Sequence, residues 1–302
     1  MRVAEGFTAI LDAVAADPEN IDAQAIAAAF LNQTRGRALE HSLAQWVARL
    51  GSGNFVNGAT LLIGLFGDHP ERYALFACLA PVAFRLGLPD LALRLFEHCL
   101  TEDLPAAAGP EEVEAQYRAS AADYDHTRHH DQSVRDFLGF LHPHLGEGWR
   151  GDVVDLPCGT GLAGPALRPL AGRLIGSDLS AAMLELAAGR GCYDQLIAGD
   201  MVAVLAGLRA DLVVCHGALY YVPDLAPITA AAAAALRPGG HFAFTDYHAG
   251  RGVMATMGGT RRFCRSPDLV RRIMADHGLV ERAAKTGLTY GALCRTWLFA
   301  KA

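Results

Sequence analysis

Val153-Val154-Asp155-Leu156-Pro157-Cys158-Gly159-Thr160-Gly161 decides the reading of this chain. Two valines and an acid end a buried strand, a glycine-rich turn follows, and a helix is expected to start within it. Glycine has no side chain, so the backbone at Gly159 and Gly161 can approach a ligand closely and adopt torsions that other residues resist. An acid at the strand end, Asp155, can hydrogen-bond a ligand or offset an ammonium group. Cys158 reads as a small filler of the turn, because the neighbouring Asp155 opposes a thiolate.

Outward from this stretch, strands are expected at 151–155, 173–178, 195–198, 210–215, 240–247, 279–285 and 293–300. Helices are expected near 161–170, 180–189, 201–206, 224–236 and 266–276. Strand–helix alternation predicts a parallel sheet with helices on both faces. The short connection around Lys285 to Leu293 can only make an antiparallel hairpin, so the last strand runs reversed. The expected fold is α/β: a Rossmann-like, seven-stranded, mostly parallel sheet with a reversed last strand, behind an N-terminal all-helical domain.

Two ligand chemistries fit the turn. Gly159-Thr160-Gly161-Leu162-Ala163-Gly164 is a literal G-x-G-x-x-G, and Asp178 follows at the distance of a dinucleotide site. On these residues NAD binding, and an oxidoreductase, stays open. Against it, Asp155 would repel a pyrophosphate, and only one nucleotide-binding half is evident. The pattern Asp155-x-x-x-Gly159-x-Gly161 also resembles motif I of class I methyltransferases, where the loop passes beneath the methionine part of S-adenosylmethionine (SAM). Ala198-Gly199-Asp200-Met201 after the third strand and Leu236-Arg237-Pro238-Gly239-Gly240 before the fifth extend that resemblance.

The resemblance implies SAM as cofactor and a role for each matching position. Asp178 would accept the ribose hydroxyls, Asp200 would hydrogen-bond the adenine amino group, and Met201 would pack near its ring. Pro157, Leu179 and Cys215 complete the expected contacts with Asp155, Gly159 and Gly161. Residues 73–302, with Tyr117, Ala121–Asp125 and Arg265-Ser266-Pro267, are similar to bacterial methyltransferases that carry tetratricopeptide repeats. By that likeness Tyr117 and Tyr124 would close over the carboxylate end of SAM. The alternative that both tyrosines only pack stays open, as does a SAM-fold protein that binds without turnover.

Strands four and five end at the expected mouth of the site. His216, Tyr221 and His248 are therefore the candidate catalytic residues, with Tyr220, Asp246 and Tyr247 as further bases or orienting groups. Each is equally at home as a hydrogen-bonded structural residue. His126, His129 and His130 have no identifiable Cys or carboxylate partner, so no metal site is expected.

Residues 1–106 read as helices and turns, at 3–16, 21–33, 36–50, 54–66, 70–86 and 90–101. Tyr73 to Leu104 resembles one tetratricopeptide repeat, with small Ala80 and Ala92 allowing close helix approach and Phe96 filling the gap. Thr101–Pro110 reads as a linker, giving domains at 1–106 and 107–302.

Bulk composition narrows the function classes. A net charge of −6 over 302 residues argues against a protein built to wrap nucleic acid. Arg251, Arg261, Arg262, Arg265, Arg271 and Arg272 nevertheless cluster late in the chain, as a solvated face or as a grip on an acidic substrate. The apolar stretch Gly58–Gly67 is too short to span a bilayer, and the alanine run ending at Leu236 is too weakly hydrophobic. No signal-peptide pattern is seen and the seven cysteines form no C-x-x-C pair, so a cytoplasmic, non-membrane enzyme is expected. The expected acceptor is a small molecule or peptide, with a homodimer or protein partner as an option for the helical domain.

Overall fold

The computed structural model describes residues 55–302, apart from 57, 61, 65–66, 69–71, 127, 251–253, 259 and 290–291. The helices expected at 3–16, 21–33 and 36–50 lie outside the described residues. The chain forms two compact units: one ends at Glu102 and also includes Thr256–Thr260, and the other comprises Asp103–Ala255 and Arg261–Ala302.

After helical residues at 55–56, 58–60 and 62–64, the elements in chain order are α1 (Arg72–Arg85), α2 (Pro89–Glu97), β1 (Leu100–Thr101), α3 (Pro110–Ser120) and α4 (Arg128–Leu145). Then come β2 (Gly151–Asp155), α5 (Gly164–Leu167), β3 (Ala171–Asp178), α6 (Ala181–Gly189), β4 (Gln195–Ala198) and α7 (Met201–Ala206). The remainder is β5 (Ala210–Cys215), α8 (Ala226–Ala235), β6 (Leu236–His248), β7 (Met254–Met257), β8 (Phe263–Arg265), α9 (Pro267–Asp276), β9 (Leu279–Thr289) and β10 (Ala292–Lys301). Short 3₁₀ turns cover Ala121–His126, Arg168–Leu170 and Leu219–Tyr221.

In the first unit, α1 and α2 are joined through Gly87, whose φ of 76° suits glycine. Phe76, Leu79, Ala80 and Ala83 of α1 and Ala92, Leu95 and Phe96 of α2 are all buried, as is Cys99 just beyond α2. The strand β1 pairs antiparallel with Thr256 and Met257.

The second unit is built on a mixed sheet. Strands β4, β3, β2, β5 and β6 lie side by side in that order, each pair parallel. β10 pairs antiparallel with β6, and β9 pairs antiparallel with β10. The reversed strand is therefore last in sequence but one place in from the edge. Both sheet faces are covered, which is why these strands read as near-continuous apolar runs. Neighbouring residues serve opposite faces. Val153, Leu212, Val214 and Leu298 meet Phe137, Leu138 and Leu141 of α4. Val154, Val213, Phe242, Phe244 and Trp297 meet Ile228 and Ala232 of α8 and Val270 and Met274 of α9.

Three departures from the expected elements have local causes. β6 begins at Leu236, four residues early, because Arg237 is drawn into the sheet base. It donates to Asp211 Oδ2 at 2.9 Å and to Asp152 Oδ2 at 2.7 Å. The helix expected at 161–170 shortens to α5 and a 3₁₀ turn around Pro169, which lacks the N–H a continuing helix needs. The stretch 249–265, where no strand or helix is expected, contains β7 and β8. β8 pairs with Tyr247 and His248, beyond the point where β5 stops alongside Phe244.

The chain runs β2, β3, β4 towards one edge, then crosses back to place β5 on the other side of β2. In open α/β sheets such a reversal opens a crevice outside the carboxyl ends of the strands. Among the described residues, no helix is long and apolar enough to cross a membrane.

Candidate functional site

A cleft of about 220 Å³ opens at that reversal point. Roughly 10–15 Å³ suffices for one water, so the space is ligand-sized. Its wall includes Asp155, Pro157, Gly159, Asp178, Leu179, Asp200 and Met201 on the β2–β4 side, and His216 and Tyr221 on the β5 side. Tyr117 and Tyr124 come from α3 and the turn after it.

The turn after β2 is fixed by backbone bonds. Leu156 N donates to Val214 O at 2.9 Å and Cys158 N to Ser177 O at 2.7 Å, tying the loop to both neighbouring strands. Gly159 has φ of 55°, and a Cβ built there meets nothing within 4 Å, so its backbone borders open space in the cleft wall. Gly161 serves differently and does not line the cleft. Its φ is 78°, and a Cβ there would stand 3.1 Å from Ala187 Cα and 3.0 Å from the Tyr193 ring, so it allows α6 to pack against the turn. Cys158 stays a thiol: burial raises its pKa, and the charges of Asp155 and Asp178 raise it further.

The three acids have distinct surroundings. Asp155 is buried and accepts a 2.7 Å bond from the Tyr193 hydroxyl at Oδ2. Burial pushes its pKa up to about 7, the Tyr193 bond pulls it down, and the nearby Asp178 charge adds to the rise. Asp178 Oδ2 accepts from Gly159 N and Oδ1 from Ser180 N, both at 2.9 Å, so it clamps the glycine turn to the start of α6. Burial raises its pKa while those backbone bonds oppose the rise. Asp200 caps α7, with Oδ1 accepting from Val202 N and Ala203 N, while Oδ2 makes no bond among the described residues.

His216 lies in the wall with both ring nitrogens engaged. Ser133 Oγ is 3.1 Å from Nε2 and Thr245 Oγ1 is 3.3 Å from Nδ1. Burial, helped by His130, lowers its pKa to about 3, so the ring is neutral throughout the ordinary pH range. Tyr117 and Tyr221 meet hydroxyl to hydroxyl at 3.2 Å. Tyr117 is held protonated by burial, and the neighbouring Tyr221 and Tyr124 act in the same direction.

Cys215 and His248 do not border the cleft. Cys215 ends β5 inside the apolar core. His248 ends β6 in a buried position, and burial with the charge of Arg295 lowers its pKa to about 4. Asp246 forms a fully buried ion pair with Arg265, and Tyr220 and Tyr247 stack at 4.2 Å.

Several contributors were not singled out from sequence. Tyr193 holds Asp155 from 38 positions away. Asp125 accepts from the Thr160 hydroxyl and from Arg190, which also donates Nε to Thr160 O at 2.6 Å. This latch joins the 3₁₀ turn carrying Tyr124 to the glycine loop. Asp125 was within reach of sequence reasoning, next to Tyr124; Tyr193 and Arg190 carried no signal. The arginine cluster divides. Arg261 pairs with Glu112, Arg271 with Asp268 and Glu281, and Arg265 with Asp246. Arg262 sits among tyrosines.

A glycine turn and acids are gathered at the carboxyl ends of the parallel strands of an α/β sheet, around a single cleft. Comparison with known proteins makes the class specific. A family described as a methyltransferase domain matches residues 154–244. The chain is 30% identical over 177 residues to the ubiquinone biosynthesis O-methyltransferase of Idiomarina loihiensis, covering 52% of this chain and 72% of that one. It is 31% identical over 139 residues to the malonyl-acyl-carrier protein O-methyltransferase of Pseudescherichia vulneris, covering 46% and 54%. Among solved structures, the fold matches the 1,6-didemethyltoxoflavin-N1-methyltransferase of Burkholderia thailandensis, bound to S-adenosylhomocysteine (SAH). The TM-score is 0.55 at 19% identity, over 67% of this chain and 95% of that one.

The chain belongs to the SAM-dependent methyltransferases. It is an enzyme with SAM as its cofactor, and the oxidoreductase reading of G-x-G-x-x-G falls.

Proposed function

We propose that this methyltransferase modifies an oxygen atom of a small-molecule acceptor, with its cofactor held by Asp155, Pro157, Gly159, Asp178, Leu179, Asp200 and Met201. One observation carries the reading: acids from the ends of β2, β3 and β4 and an open glycine turn line a single cleft. The open position at Gly159 and the unbonded Asp200 Oδ2 suit a nucleoside with hydroxyl and amino donors. Both sequence relatives named above are O-methyltransferases, which supports oxygen as the accepting atom.

Bound SAM supplies an electrophilic methyl group on a cationic sulfur. The chain's task is alignment and exclusion of water. Asp178 accepts the ribose hydroxyls while holding the glycine turn in place. Asp200 accepts from the adenine amino group, beside Met201. Asp155 offsets the cofactor's ammonium group. Gly161 acts through the packing of α6. Tyr117 and Tyr124 close the cleft from the α3 side, held by the Asp125–Thr160–Arg190 latch. Alignment of this kind lowers barriers by roughly 7–11 kcal/mol in well-oriented systems. Of the three candidate catalytic residues, Tyr221 and His216 orient the acceptor at the β5 side. His248 acts at most through β6, and Cys215 supports the cleft from the core.

Residues 1–106 are proposed as a separate helical, tetratricopeptide-like domain, and 107–302 as the methyltransferase domain. The buried Ala80, Ala92 and Phe96 between α1 and α2 support the first part.

Asp178→Ala is expected to weaken SAH binding by about 2–3 kcal/mol, roughly 30–150-fold, through lost charged hydrogen bonds. Calorimetry on folded wild-type and variant protein measures it, with NAD titrated in parallel and expected to give no signal. Unchanged SAH affinity in a folded variant would overturn the placement of the ribose.

A further inference from the structure

We infer that the acceptor is a carboxylate, seated against the Tyr117–Tyr221 hydroxyl pair with the Arg262 guanidinium behind it. This rests on the methyltransferase reading of the cleft and names the substrate class for it.

The argument starts from hydrogen-bond directions. Arg262 Nη1 donates to the Tyr247 hydroxyl at 3.2 Å and Nη2 to the Tyr221 hydroxyl at 3.5 Å. The guanidinium carbon lies 5.4 Å from the Tyr220 ring centre and 5.7 Å from that of Tyr221. Tyr117 also donates to the Tyr221 oxygen. A phenol oxygen has one proton to give and accepts through its lone pairs. With Tyr221 accepting from both Arg262 and Tyr117, its own proton is left for a third group, and no described residue receives it. Should the phenol pair run the other way, the spare proton is that of Tyr117. Both side chains line the cleft. Either way the pair offers the ligand a donor, and the ligand must present an acceptor atom.

Charge narrows the acceptor atom further. Asp155, Asp178 and Asp200 stand on the β2–β4 side of the cleft, whereas Arg262 precedes β8, alongside the end of β6. Glu114 also borders the cleft, from α3, where Arg118 pairs with it at 3.3 Å. A half-buried guanidinium that polarises phenol hydroxyls favours an anionic oxygen over a neutral one.

The chemistry agrees. A neutral hydroxyl acceptor needs a base to take its proton. Around the phenol pair, His216 has both nitrogens engaged and burial keeps Tyr117 a protonated phenol. A carboxylic acid, with a pKa of roughly 4, arrives already ionised. Its oxygen forms the new O–C bond as the methyl C–S bond breaks, and that electron pair returns to sulfur. Negative acceptor and positive sulfonium become a neutral ester and a thioether, with no proton to remove.

The cofactor's own methionine carboxylate carries the same chemistry, so the test has two arms. The first measures SAH affinity by calorimetry in wild-type and Arg262→Gln protein; it is expected to agree within about twofold. The second titrates SAH-saturated protein with benzoate and monomethyl malonate against their neutral counterparts, benzamide and methyl malonamate, by ligand-observed NMR. Wild-type protein should favour the acids by roughly tenfold or more. Arg262→Gln and Tyr221→Phe should each erase the preference, and Arg262→Lys should restore part of it. Equal binding of acids and amides, or no acid binding at millimolar concentration with SAH bound normally, overturns the inference and leaves the methyltransferase reading standing. A tenfold loss of SAH affinity in Arg262→Gln gives the seat to the cofactor and overturns it as well. Failure of SAH to bind wild-type protein removes the reading beneath it.

Discussion

Arg265→Met is expected to destabilise the folded protein by about 3–5 kcal/mol, the usual cost of removing one partner from a buried ion pair. Both side chains of the Arg265–Asp246 pair are only 1% exposed. Arg265 Nη1 reaches both Asp246 oxygens at 2.9 Å and the Leu219 carbonyl at 3.4 Å, and Nη2 bonds the Val222 carbonyl. Without the guanidinium, Asp246 would keep only the 3.0 Å bond from Tyr247 N, and two carbonyls flanking the Leu219–Tyr221 turn would lose a donor. Burial already raises the Asp246 pKa against the pull of Arg265. Losing Arg265 drives it higher, so the variant's deficit should grow with pH as the orphaned carboxylate ionises. For a unit of about 200 residues the loss corresponds to a fall in Tm of roughly 6–20 °C. The double variant Arg265→Met/Asp246→Leu should recover most of it, since pairing the buried charge, not the charge itself, is what the fold requires. Chemical denaturation measures both. A deficit below about 1 kcal/mol for the single variant would mean that water reaches the pair.

The same pair shows where sequence reading reaches its limit. The sheet was legible because burial on both faces writes itself as runs such as Val153-Val154 and Leu212-Val213-Val214, and because the turns between them need glycine or an acid at fixed places. The β2–β4 wall of the cleft was legible for the same reason: Asp155, Gly159, Asp178 and Asp200 sit at strand ends, and strand ends are local features. Partners chosen by the tertiary fold were not. Nothing near Asp155 points to Tyr193, and nothing near Asp246 points to Arg265. Strand-end position also misleads when the strand ends in the core, as at Cys215 and His248, because a line of text does not say which face the terminal side chain takes. Leu236-Arg237-Pro238-Gly239-Gly240 was recognisable as a motif without its physical task, which is to let Arg237 bridge the bases of β2 and β5. The arginine cluster had two open readings, a solvated face and a grip on an acid; Arg261 and Arg271 form exposed ion pairs, Arg265 takes a third use in the buried ion pair, and Arg262 donates to tyrosine hydroxyls.

Asp155→Asn should stabilise the ligand-free protein at neutral and alkaline pH while weakening cofactor binding. The sign follows from the direction of the shift. The folded-state pKa, about 7, lies above the unfolded value of 3.8, because the buried site disfavours the carboxylate. The folded chain therefore holds this proton more tightly. The associated stability is complete below about pH 4, declines as pH rises towards 7, and is gone above that. The cost of ionising Asp155 in the fold amounts to about 4 kcal/mol. Asparagine avoids it and keeps an oxygen for the Tyr193 hydroxyl, so the stability difference between variant and wild type should open between pH 4 and 7 and then level off. Binding should behave in the opposite sense. With the ammonium group of SAM beside it, as proposed, the carboxylate becomes favourable and its proton must leave. Wild-type protein should release close to one proton per SAM near pH 6 and almost none by about pH 8, and its affinity should rise roughly tenfold across that range. The variant should show neither effect. Calorimetry in two buffers of different ionisation enthalpy counts the protons. If wild-type protein binds SAM with no proton release near pH 6, Asp155 does not face the cofactor's charge.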